Sequence, residues 1–257
     1  MSLLTASDIT VRRGGRDILR NVSVSLPSGA FVAVVGANGA GKSTLLAVLA
    51  GLLKPDRGQA QLDGLPMTGI DRKLLARRRA YLPQNPRCEW PISVERLVAL
   101  GLIPSLPAFG GFPQDLQARI GRAIQACDLE DHREQAVTTL SGGELARAML
   151  ARALVGDPDV LIADEPVAGL DPRHALDTVA RLNALALAGK LVVASVHDLT
   201  LAARFSTHLL ALHDGQAVAH GPTAQVLTPE LLRRIFEVEA RVSGVGHGAT
   251  VDFLAGA

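Results

Sequence analysis

Short apolar runs recur along the chain, at Phe31 to Val35, Val160 to Ala163 and Leu191 to Val196, each bounded by Gly, Pro or charge. Runs this short, with no polar and apolar alternation, are what the strands of a parallel sheet covered on both faces present. Segments of helical pattern separate them, and that alternation predicts an α/β core. Ahead of the first run, Ile9 to Arg12 and Asn21 to Leu26 alternate apolar and polar positions around Gly14-Gly15. That is the pattern of antiparallel strands with one face in water, and residues 58–64 are expected to join them. Further on, His208 to His213 and Gln216 to His220 flank Asp214-Gly215, a hairpin signal. A helix is predicted from Thr228-Pro229-Glu230, with Thr as cap and Pro at the first helical position.

More than a hundred residues separate the Phe31 run from the Val160 run, so something is inserted. Ser93 to Leu154 reads as wholly helical, after Pro91 and around a Pro/Gly-rich break from Pro104 to Pro113. The expected organisation is one domain over 1–257. Residues 1–90 and 155–240 form the core with its antiparallel β part, 91–154 a helical subdomain, and 241–257, rich in Gly and Ala, a loosely held tail.

The composition of 48% hydrophobic residues is ample for a buried core. Charge is balanced, 26 basic against 25 acidic residues, so the whole molecule has no field that gathers nucleic acid or coats an anionic membrane. The densest basic stretch, Arg72-Lys73 with Arg77-Arg78-Arg79, reads as a solvated helix face rather than a polyanion site, and it lacks interleaved aromatics. No nucleic-acid partner is expected. Cys88 and Cys127 show no metal-ligand spacing, and a reducing compartment is the simplest setting. No signal peptide is expected from an N-terminus carrying Asp8, Arg12 and Arg13, nor does any uncharged stretch have the length of a membrane span. A membrane role would come through a partner.

The chemistry is concentrated in Gly36-Ala37-Asn38-Gly39-Ala40-Gly41-Lys42-Ser43, which follows the Phe31 run and opens into Thr44-Leu45-Leu46. Glycines at these positions let backbone N–H groups converge on phosphates, Lys42 neutralises the β/γ oxygens, and the Ser43 hydroxyl reaches Mg²⁺. Only four lysines occur against 22 arginines, and one sits here. A glycine-rich turn before a core helix is the plainer alternative, but strand, loop and helix come in the order the motif demands. The Val160 run ends in Asp164-Glu165-Pro166, placing two acids at the C-terminal strand edge where open α/β sheets bind ligands. Asp164 is positioned to hold Mg²⁺ and Glu165 to accept a proton from, or orient, an attacking water. Leu140-Ser141-Gly142-Gly143-Glu144 has the spacing of a capping box. Two glycines in a first turn cost roughly 1 kcal/mol each relative to Ala, and what they offer is an open electropositive N-terminus for a phosphate. His197 ends an apolar strand at the same edge, where an imidazole can donate to phosphate; a core or turn histidine is the plainer alternative.

With these motifs together, the chain closely resembles the nucleotide-binding subunit of ATP-binding cassette transporters over about residues 3–240, the signature Leu140 to Glu144 being highly specific. The resemblance implies a P-loop NTPase core with an antiparallel β subdomain and an inserted helical subdomain. It implies that Gly36 to Ser43, with Thr44, is the Walker A loop and binds ATP with Mg²⁺, and that Gln84 in Tyr81-Leu82-Pro83-Gln84 is the Q-loop residue, serving both metal and catalysis. Asp164-Glu165 would be Walker B with its catalytic acid, Ala168-Gly169-Leu170-Asp171 the D-loop, and His197 the switch histidine. It further implies a head-to-tail pair in which Ser141, Gly142 and Gly143 of one copy, with Asp171, complete the site of the other.

Trp90 to Gly101, His197 to Ala203 and Val226 to Leu232 narrow the likeness to importers of iron–siderophore complexes, haem and cobalamin. These work with two membrane permease subunits and a periplasmic or lipid-anchored binding protein, the cassette lying peripherally on the cytoplasmic face. Permease contact is expected across Gln84 to Phe112. Two departures stand out: Arg12-Arg13 where an aromatic residue usually stacks on adenine, and Ala146 where a glutamine is common. A guanidinium also stacks on a base. The alternatives are an exporter's ATPase, a soluble mechanical ATPase without a permease, or a non-hydrolysing scaffold. The chain shows no second phosphate loop and no heptads, and Glu165 and His197 are intact.

Overall fold

The computed structural model describes residues 3–106, 115–244 and 246–254. Most of the Pro/Gly-rich break, including Phe112 and Pro113, lies outside the described residues. Leu4–Arg13 (β1) and Arg16–Leu26 (β2) pair antiparallel across Gly14 and Gly15, whose positive φ of 55° and 75° closes the turn. Arg57–Leu62 (β4) pairs with the other edge of β1, and Leu65–Pro66 (β5) completes a four-stranded sheet in the order β2-β1-β4-β5. Its alternation puts Leu4, Ile9, Leu19, Val22 and Leu26 in the interior, against the helix Lys42–Leu49 (α1).

Phe31–Val35 (β3) lies inside a six-stranded sheet with Arg79–Leu82 (β6), Val160–Ala163 (β7), Leu191–Ser195 (β8), His208–His213 (β9) and Gln216–Pro222 (β10), ordered β10-β9-β3-β8-β7-β6. The five strands from β9 to β6 are parallel, and β10 returns antiparallel across Asp214-Gly215. The apolar runs follow from burial on both faces. Phe31, Ala33, Val35, Leu161 and Ala163 belong to one core, while Val32, Val34, Val160 and Ile162 belong to the other. Strand β6 is the one the pattern misses, because arginines lead into it and only Leu82 is fully buried.

The first core is covered by Gly142–Leu154 (α5), Pro172–Leu187 (α6) and Leu199–Phe205 (α7). Between β6 and α5, Val94–Ala99 (α3) and Leu116–Ala126 (α4) make the described part of the insert mainly, not wholly, helical. Ser93 bridges Ala136 in extended conformation, Val137 N–H donating to the Ile92 carbonyl at 2.9 Å.

Two expectations need correction. The basic stretch on Arg72–Arg78 (α2) and the start of β6 is only partly a solvated face. Arg72, Lys73 and Arg77 are exposed, but Arg78 reaches Asp63 at 2.6 Å and Asp159 at 2.8 Å, and the Arg79 side chain turns inward. Nor is the C-terminal segment loosely held through its described residues. Beyond Thr223–Val226 (α8) and Pro229–Phe236 (α9), the latter capped by Thr228 as expected, Ala240–Ser243 (β11) pairs with Thr250–Phe253 (β12). The hairpin is tied down on α7, where Arg204 donates to the Ala249 carbonyl at 2.8 Å and Thr200 accepts from Val251 N–H at 3.2 Å. Small residues hide these contacts from a reading of composition, since Ala249 is fully buried. No helix among the described residues is long and apolar enough to cross a membrane.

Candidate functional site

Strand β3 delivers Gly36 to the sheet edge, and the loop to Gly41 turns through positive φ at Gly36 (152°), Gly39 (82°) and Gly41 (98°). The three glycines answer different constraints. A Cβ at Gly36 would lie 2.3 Å from the Leu212 carbonyl oxygen, and one at Gly41 would lie 2.7 Å from Leu19 Cδ2 and 2.9 Å from the Ile18 carbonyl. At Gly39 a Cβ meets nothing within 4 Å, so conformation alone demands glycine there. Gly36→Ala is therefore expected to destabilise the protein by about 2–4 kcal/mol through overpacking and backbone strain, read as a lower denaturation midpoint. An unchanged midpoint would contradict the packing argument.

Gly41 caps α1 without a side-chain bond, and no acid sits in the first turn. The opening N–H groups of α1 thus point outward without intrahelical acceptors, as an anion site needs. Lys42 is buried, its Nζ donating to the carbonyls of Gly36 at 2.7 Å and Ala37 at 3.1 Å. Burial holds its pKa below the ordinary lysine value, against the opposing pull of Glu165 and Asp164. Ser43 is exposed and Thr44 half-buried, next to it on the helix.

The two acids follow β7. Asp164 is buried and accepts from Ser195 Oγ at 2.7 Å. Ser195 in turn accepts from the Glu165 backbone N–H at 2.7 Å, which helps hold Glu165 at a φ of +50°. The Glu165 carboxylate is clasped from both sides, by Gln84 Nε2 at 2.7 Å and by His197 Nε2 at 2.5 Å. Ser195 is the functional residue that the sequence reading missed. Its only signal is a hydroxyl closing an otherwise apolar strand two residues before His197.

The structure thus joins Gln84 and His197 to Glu165 by hydrogen bonds and sets Lys42 within the field of Glu165 and Asp164. Among the described residues, no hydrogen bond joins Ser141, Gly142 or Gly143 to residues 36–44. The capping box is present, with Ser141 Oγ accepting from Glu144 N–H at 3.3 Å and Glu144 Oε2 accepting from Ser141 N–H at 2.8 Å. Those bonds hold the Glu144 carboxyl below its usual range. A Cβ on Gly142 would meet nothing within 4 Å and one on Gly143 only Leu170 Cδ2 at 3.7 Å, so nothing inside this chain requires glycine there. Asp171 caps α6, accepting from His174 N–H at 3.0 Å. Leu170 joins Glu165 and His197 in lining a cavity of about 460 Å³. Arg12 is engaged with Asp17 at 2.7 Å across the β1–β2 turn.

Residues 19–168 match the ABC transporter family. The hemin import ATP-binding protein HmuV of Bordetella pertussis is 40% identical over 93% of this chain and 94% of its own length. The ferric enterobactin transport ATP-binding protein FepC of Escherichia coli is 35% identical over 93% of this chain and 89% of its own. Among solved structures, the dimeric post-hydrolysis state of the ATP-binding cassette MJ0796, bound to ADP and phosphate, superposes with a TM-score of 0.76 at 26% identity, covering 85% of this chain and 98% of that one. The family match spans more than half the sequence and the relatives nearly all of it, so the chain belongs to the ABC transporter family as an ATP-binding cassette.

Proposed function

We propose that this chain hydrolyses ATP as one of a head-to-tail pair of cassettes on the cytoplasmic face of a membrane, energising import of an iron chelate or tetrapyrrole through permease subunits fed by a binding protein. The cargo class is supported by the relatives, whose names specify hemin import and ferric enterobactin transport. The observation that carries the paired site is the division of parts: acid, histidine and phosphate loop converge, while the glycines of α5 have no role within their own chain.

In this reading, N–H groups of residues 39–44 bind the phosphates, and Lys42 swings from its two carbonyl acceptors to the β/γ oxygens. The residues also fit a hard cation. Asp164 has one oxygen on Ser195 and, among the described residues, no protein donor on the other, and Ser43 is exposed. Ser43, Asp164 and Gln84 would hold Mg²⁺, which neutralises phosphate charge. Release of Glu165 from its clasp frees the carboxylate to orient water and take its proton, while His197 donates to the terminal phosphate. Gln84, linking the core to the 91–154 insert, reports nucleotide to the permease.

The test is ATPase rate per subunit against protein concentration, for wild type and Ser141→Arg. The wild-type rate should rise with concentration, and the variant should lose roughly 10²-fold while binding ATP normally as a monomer. A variant that hydrolyses as well as wild type would refute the shared site.

A further inference from the structure

Strand β8 lies between β3, which leads into the phosphate loop, and β7, which delivers the two acids. Register sets Ser195 beside Val34 on one side, and Ala194 beside Ala163 on the other, so Ser195 ends its strand between the loop and the acids. Alternation along β8 turns it the way Val193 turns, toward the core that α1 shares. Ser195 is fully buried, and the four strand residues before it are apolar. A hydroxyl in such a place needs partners.

Both of its partners belong to the site. Ser195 Oγ accepts from the Glu165 N–H at 2.7 Å and donates to Asp164 Oδ1 at 2.7 Å. The hydroxyl carries a single proton, and with the amide donating to its oxygen that proton is committed to Asp164. Asp164 Oδ1 is thereby spoken for as an acceptor, and the backbone behind it is pinned by Asp164 N–H donating to the Leu82 carbonyl at 2.8 Å. The carboxylate is left with one orientation and one oxygen to offer. At the other end of the hydroxyl, Glu165 holds a φ of +50°, a conformation that a side chain of this kind keeps only where its surroundings impose it.

We propose that Ser195 is a positioning residue that ties the acid facing the cation to the acid facing the water. One hydroxyl orients the Asp164 carboxylate toward Mg²⁺ and braces the Glu165 backbone. The proposal rests on the roles given to Asp164 and Glu165 above and adds the residue that couples them. A hydrogen-bonded support of a ligand carboxylate tunes metal affinity without touching the metal. An apolar residue at 195 would leave a buried carboxylate oxygen and the neighbouring amide without their partner, both inside the site.

The experiment compares wild type with Ser195→Thr and Ser195→Val, two variants of nearly equal volume that differ in the hydroxyl. Mn²⁺ binding to the full chain in saturating ADP is followed by electron paramagnetic resonance, with Asp164→Asn as the control for the metal site itself. Mn²⁺ affinity should fall roughly 10- to 100-fold in Ser195→Val and stay near wild type in Ser195→Thr, while ADP affinity in EDTA is the same in all three. At saturating Mg²⁺ and equal protein concentration, Ser195→Val should still turn over ATP about tenfold or more slowly, because Glu165 has lost its brace. Should that variant fold poorly, the wild type decides: its Glu165 amide should be protected from solvent exchange, and exchange as fast as in an exposed loop would overturn the tether. Equal Mn²⁺ affinity in the Val and Thr variants, with Asp164→Asn impaired, would also overturn it and leave the metal role of Asp164 standing. A turnover loss that excess Mg²⁺ repairs in full would remove the link to Glu165. Wild-type Mn²⁺ affinity in Asp164→Asn would sink the metal role itself, and the tether with it.

Discussion

Glu165→Gln is expected to lower ATP turnover by roughly 10²- to 10⁴-fold while leaving ATP affinity near that of wild type. The substitution keeps the shape of the side chain and removes the carboxylate that accepts from Gln84 and lies against His197. Nothing in the phosphate loop is touched, because Glu165 is held by the Ser195 hydroxyl through its backbone N–H, and that bond survives the exchange. Binding and hydrolysis should therefore separate, and the variant should accumulate as an ATP-bound dimer, visible as a shift in elution volume with ATP and Mg²⁺. Turnover within tenfold of wild type would mean that another group takes the proton, and the clasped carboxylate would then be a positioning element only.

The same acids show what a sequence does and does not disclose. The phosphate loop is legible because its constraints are local: glycine φ values, a helix start and a lysine six residues from the carbonyl it bonds. Asp164 and Glu165 are legible because a buried strand must end at the ligand edge. The Gln84–Glu165 bond joins positions 81 residues apart, and no spacing announces it; family likeness points to Gln84 itself and not to this bond. Ser195 was missed altogether, since one hydroxyl in Leu191–Ser195 looks like a strand end until Asp164 and the Glu165 N–H converge on it from 31 and 30 residues away.

Charge was the least legible property. Five basic residues over 72–79 have the look of a solvated face, and position along α2 and β6 decides otherwise. Arg78 and Arg79 sit at the point where α2 runs into the sheet, so one finds aspartates and the other, half-buried, has its Nε without a hydrogen-bond partner among the described residues. The C-terminal hairpin was illegible for a related reason. Alanine and glycine carry little hydrophobic signal, but their lack of bulk is what lets the segment lie on α7. By contrast, the pairing of β1 with β2 and the β9–β10 hairpin were readable, because period-two patterning and a tight turn are both local, although only Ile9 to Arg12 and Asn21 to Leu26 of the longer strands β1 and β2 carried the pattern.

Lys42→Met is expected to uncouple stability from nucleotide. In the nucleotide-free protein the lysine is buried, and its pKa is lowered despite the nearby acids, so its charged form carries a net cost. A lysine whose folded pKa lies below its unfolded value destabilises the fold most at low pH, the cost fading as pH rises through the folded value toward the unfolded one. Methionine keeps the stem's packing and removes that cost, so the ligand-free denaturation midpoint should stay level or rise. ATP should then stabilise the variant poorly. At a concentration one hundred times the wild-type Kd, ATP adds about 2.7 kcal/mol to the wild type. Loss of a charge-assisted contact worth about 1.5–3 kcal/mol weakens affinity roughly 10- to 100-fold and leaves about 0.4–1.4 kcal/mol at the same concentration. Thermal melts with and without ATP distinguish the two effects. A full ATP-dependent shift in Lys42→Met would show that phosphate is held by the α1 N-terminus alone, and the role assigned to this buried cation would have to be withdrawn.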